Sequence, residues 1–131
     1  KSMSDELSKL PPVVQERLLR LQQLQQSLQA TVVQKQQTEL ELNETDNALE
    51  EIQKTPEDAS MYKSIGSLLI KTEKTKITTE LTERKELLNT RISVLTKQEE
   101  RLRNQMKDLQ TKLQQDLNPT APPPPESMSP P

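Results

Sequence analysis

The carboxylates and ammonium groups are the side chains of this sequence best suited to acid–base or metal chemistry, because histidine and cysteine are both absent. Their spacing does not favour such chemistry. Glu50-Glu51 and Glu99-Glu100 are adjacent pairs, and neighbours on a helix point about 100° apart, so neither pair converges on one atom. Without histidine or cysteine the usual zinc ligands and nucleophile–base pairs are missing as well. Gly66 is the sole glycine, which excludes a glycine-rich phosphate loop. The expectation is a protein that is not an enzyme and that holds no cofactor and no metal.

The other residues that could carry function are apolar, and they fall into two groups. At the outer ends of two long helical stretches stand Val13, Val14, Leu18, Leu19, Leu21 and Leu24, and Met106, Leu109, Leu113 and Leu117. These exceed what one helix–helix seam can use, since Val14, Leu18 and Leu19 cannot all face the same partner. They form either a surface that grips unstructured chains or a widened seam where two helix ends fray. The second group lies around Gly66 and comprises Met61, Tyr62, Ile65, Leu68, Leu69 and Ile70. Two short runs flanking Gly66-Ser67 read as a β-hairpin. Such a hairpin is marginal alone in water, so its missing strands are expected from other chains.

The elements that position these residues follow from proline and leucine. Pro11 and Pro12 precede the first periodic stretch, Pro56 follows it and Pro119 ends the second. Proline fits the first turn of a helix and breaks its interior. The expected organisation is a disordered segment over 1–12, a helix over 13–54, a hairpin assembly region over 55–72, a helix over 73–117 and a disordered proline-rich tail over 118–131. Leu81, Leu88, Leu95, Leu102 and Leu109 recur every seven residues, with Ile92, Met106 and Leu113 completing a coiled-coil seam. The first helix matches it with Leu21, Leu24, Leu28, Leu42, Leu49 and Ile52, but it places Thr31, Lys35, Thr38 and Thr45 between them. One antiparallel register opposes Leu21 with Leu109, Leu28 with Leu102, Lys35 with Leu95, Leu42 with Leu88 and Leu49 with Leu81. It also sets Thr31 by Glu99 and Thr38 by Ile92. The fold class is therefore mainly α, a long antiparallel two-helix coiled coil joined by one β-hairpin.

Composition fits that picture and narrows the partners. One tyrosine, no tryptophan and no phenylalanine in 131 residues leave little for a globular core. A formal charge of −2 with mixed signs gives no field for nucleic acid, and no apolar run is long enough to span a membrane. A cytoplasmic setting is expected.

The order of parts resembles a known family. Leu10-Pro11-Pro12-Val13-Val14-Gln15, then Ala48-Leu49-Glu50-Glu51-Ile52, Pro56-Glu57-Asp58-Ala59, and Tyr62-Lys63-Ser64-Ile65-Gly66-Ser67-Leu68-Leu69-Ile70-Lys71 are similar to prefoldin (Gim complex) β subunits of archaeal type. The resemblance implies a hexamer of two α-type and four β-type subunits whose hairpins join into β-barrels. Met61, Tyr62, Ile65, Leu68, Leu69 and Ile70 would serve assembly. The apolar residues at the helix ends would hold unfolded clients without ATP and pass them to a group II chaperonin. The alternative is a structural coiled-coil scaffold or tether with no client binding.

Overall fold

The structure, a computed structural model, describes residues 3–118. The element order is α1 (Met3–Ser8), α2 (Pro12–Gln53), β1 (Met61–Ile65), β2 (Leu68–Thr72) and α3 (Lys74–Leu117). The long helices cover 12–53 and 74–117 beside the expected 13–54 and 73–117, whereas the strands occupy only 61–72 of the expected 55–72 region. The described residues divide into two compact units, one within 3–32 and 98–118 and one of residues 33–97.

The N-terminal segment differs from the disorder expected over 1–12, since Met3–Ser8 form the helix α1. Asp5 and Glu6 lie in its first turn, where negative charge complements the helix dipole. Its six residues are too few to show any apolar period. Leu10 cannot continue it, because a residue before proline is pushed out of the helical region. The Pro11 carbonyl then opens α2, accepting from the amides of Val14 at 3.0 Å and Gln15 at 3.1 Å. Pro12, which has no N–H to lose, stands at the first helical position. The side-chain amide of Gln15 donates to the Leu10 carbonyl at 2.7 Å and ties the entering chain to α2. The proline-rich tail lies outside the described residues, apart from Asn118.

In the first unit the seam of α2 buries Val14, Leu24 and Thr31 and half-buries Leu21 and Leu28. The seam of α3 there buries Leu113 and half-buries Glu99, Leu102, Met106 and Leu109. Thr31 is 2% exposed, and its hydroxyl is satisfied twice. It donates to the Ser27 carbonyl at 2.9 Å and accepts from the Gln98 side-chain amide at 3.1 Å. Gln98 neighbours Glu99, the residue that the antiparallel register sets against Thr31.

In the second unit Thr38, Thr45, Ile52, Leu88 and Leu95 are buried, and Lys35, Leu42, Leu49, Leu81 and Ile92 are half-buried. Thr38 and Thr45 donate back to the carbonyls of Gln34 at 2.7 Å and Glu41 at 2.8 Å, so neither hydroxyl is buried without a partner. Lys85, which the register opposes to Thr45, pairs with the adjacent Asp46 at 2.9 Å. α2 ends where Thr55 turns its hydroxyl onto the Glu51 carbonyl at 2.9 Å, just before Pro56. The Lys74 ammonium then crosses to the Thr55 carbonyl at 2.8 Å and to Glu57 at 3.6 Å, fastening the loop to the start of α3. β1 and β2 are antiparallel from Met61↔Thr72 to Ile65↔Leu68. Gly66 has φ +58°, and no other described residue has a positive φ. A two-residue loop with positive φ at its first position alone is the II′ pattern, whose twist matches that of the strands.

Candidate functional site

The hairpin of the second unit exposes nearly all its apolar side chains. Because side chains alternate along a strand, Tyr62, Ser64, Leu69 and Lys71 share one face, while Met61, Lys63, Ile65, Leu68, Ile70 and Thr72 share the other. All four residues of the first face are exposed, Leu69 to 72%. On the second face only Met61, Lys63 and Thr72 are half-buried, whereas Ile65, Leu68 and Ile70 are exposed. The sheet has two strands and no more among the described residues, so each strand carries an unpaired backbone edge. Of the six residues expected to serve assembly, five are exposed and Met61 is half-buried.

An ion pair orients this hairpin. The Lys63 ammonium lies 2.7 Å from the Glu80 carboxylate on α3. That hydrogen bond is the main reason the Glu80 carboxyl is held below the ordinary carboxylate range. Desolvation works against it, and the charges of Lys63 and Lys76 add to the lowering.

The free end of the first unit, where α2 begins and α3 stops, splits the other ten candidates. Val14 is 1% exposed, and Leu24 and Leu113 are also buried, so these three are seam residues. Leu18, Leu21, Met106 and Leu109 are half-buried. Val13, Leu19 and Leu117 stand free, Leu19 at 57% and Leu117 at 61% exposure. The surface offered to a partner is thus narrower than the sequence suggests, and the rest of the apolar surplus lies inside the helix pair.

Two charged residues at this end escaped the sequence reading. Arg17 on α2 and Asp116 on α3 form a part-buried ion pair across the two helices. A signal for them existed. Carrying the seam spacing outward from Leu24 and Leu21 lands on Arg17 and Val14, and from Leu109 it lands on Leu113 and Asp116. Lys63 and Glu80 left no such trace, since their meeting depends on how the hairpin lies on α3. Among the described residues no group of histidine, cysteine, aspartate or glutamate could hold a metal, and no helix is long and apolar enough to cross a membrane.

Comparison with known proteins adds a consistent set of relatives. Residues 15–119 match the family model described as prefoldin subunit. The chain is 45% identical over 115 residues to the prefoldin subunit beta of Archaeoglobus fulgidus, covering 88% of this chain and 99% of that one. It is 47% identical over 113 residues to that of Thermococcus gammatolerans, covering 86% and 97%. The crystal structure of the prefoldin beta subunit from Thermococcus strain KS-1 superposes with a TM-score of 0.76 at 42% identity, covering 89% of this chain and 98% of that one. The prefoldin beta2 subunit of the same strain, at 21% identity, shares the fold with a TM-score of 0.63, covering 70% and 97%.

Proposed function

The chain belongs to the prefoldin family as a β-type subunit of the archaeal kind, and on that premise we propose that it grips unfolded polypeptides at the free end of its helix pair. The family gives it a chaperone role within an assembly of prefoldin subunits. Val13, Leu19 and Leu117, exposed where α2 begins and α3 ends, are the observation that carries the client-binding reading. An extended apolar chain can lie across such residues without displacing the seam beneath them.

The hairpin serves assembly. Its exposed Tyr62, Ile65, Leu68, Leu69 and Ile70 and its two free edges suit pairing with strands of α-type subunits and further β copies, as in an α2β4 hexamer closed by β-barrels. Several weak grips then act together, because each contact raises the effective concentration of the client at the next. Such a subunit is no enzyme, needs no nucleotide, works in the cytoplasm and passes its client to a group II chaperonin.

Serine substitution at Val13, Leu19 and Leu117 tests the grip, with aggregation of a denatured test protein as the readout. Suppression is expected to fall several-fold while the oligomer keeps its native mass. Undiminished suppression by an intact oligomer would assign the chain to a scaffold role instead.

A further inference from the structure

We propose that Arg17 and Asp116 form a reversible clasp that controls how much of the apolar seam at the free end of the first unit is offered to a client. This inference rests on the client-gripping role above. It begins with position. The seam spacing places Val14 and Arg17 last on α2, and Leu113 and Asp116 last on α3. The outermost layer is therefore two buried aliphatic side chains and one ion pair, where a helix pair built only for stability would carry leucines.

An ion pair closes a layer differently from leucine. Its attraction is screened by salt, and once parted both charged groups regain full hydration, so parting costs less than exposing two leucines to water. Asp116 also sits in the last turn of α3, where the helix dipole disfavours negative charge, and the Arg17 guanidinium offsets that repulsion. In the same end of the seam as the clasp stand Val14 at 1% and Leu113 at 6% exposure, and Val13 and Leu117 at this end are already exposed. Opening the last layer joins these four into a larger apolar surface. The occupant that fits it is an extended apolar segment of an unfolded chain, which can replace the lost seam contacts with its own. In the closed state the surface is small and the end is protected from association with other copies.

The test uses the full chain in its assembled form, with Arg17→Gln, Asp116→Asn and the exchanged pair Arg17→Asp with Asp116→Arg. Two quantities are measured, hydrogen exchange of the amides over residues 13–24 and 106–117 and the dissociation constant of a chemically unfolded test protein. Each single variant is expected to exchange faster at this end and to bind the test protein about two- to fivefold more tightly, the range set by a partly exposed ion pair. The exchanged pair is expected to return both to wild-type values. Added salt should bring the wild type toward the single variants while changing those variants less. Unaltered exchange in the single variants, or faster exchange with unchanged or weaker binding, overturns the clasp. A wild-type assembly that binds no test protein overturns the client-gripping role itself, and the clasp is then decided by exchange alone.

Discussion

Thr31, Thr38 and Thr45 fill seam positions at which leucine would bury more apolar surface, and each offsets the cost of a buried hydroxyl with a bond to the carbonyl four residues earlier. Their surroundings differ in one respect. Thr38 makes that bond alone, whereas Thr31 also accepts from Gln98. In Thr38→Val the Gln34 carbonyl keeps its helix bond and a methyl replaces the hydroxyl. Stability is expected to rise by about 0.8 kcal/mol, the worth of one buried methylene. Thr31→Val removes the acceptor of the Gln98 amide, and that gain is expected to vanish or become a loss of about 1 kcal/mol. Thermal unfolding of the two variants side by side checks the contrast, and equal shifts would count against it. The seam itself was readable from a leucine every seven residues, and the antiparallel register from the short connection that brings the two rows into one alignment. Arg17 and Asp116 were less so. A charge near a helix end resembles any solvated side chain until its place in the heptad is counted.

The hairpin was readable as an element from Gly66-Ser67 and the sudden richness in isoleucine and leucine. How it is held was not. The tie between Lys63 and Glu80 depends on the angle of the strands over α3, which no local pattern encodes. It has a pH consequence with a definite sign. The folded carboxyl titrates below its unfolded value, so the tie is complete above the ordinary carboxylate range and is lost as pH falls through the lowered folded value. The protection of the β1 and β2 amides, their exchange corrected for its intrinsic fall with pH, is therefore expected to weaken on acidification in the wild type and to change little over that window in Glu80→Gln. A matching response in the variant would show that another group governs the hairpin. The six-residue α1 left no sequence signal, since local charge and a serine turn shape it rather than any repeat.

For the whole molecule, the two units present different surfaces, apolar strands with free edges in one and a partly covered helix end in the other. Gly66 links the first of these to assembly. A Cβ at this position would meet nothing within 4 Å, so the constraint is the positive φ alone, and Gly66→Ala is expected to cost the turn about 1–2 kcal/mol. Native mass measurement with an α-type partner should then show a shift toward smaller species without loss of helix. An unchanged assembly would mean that the strands pair whatever their turn. The uneven seam also bears on the order of synthesis. α2 leaves the ribosome first, and its threonines and Lys35 make it a poor partner for another copy of itself. α3 follows with an unbroken row of leucines and finds its own α2 within reach. A peptide of residues 12–53 is accordingly expected to stay monomeric at concentrations where one of residues 74–117 self-associates, a difference that sedimentation would reveal. Chains made side by side on one message would thus be kept from entangling by the weaker helix emerging first.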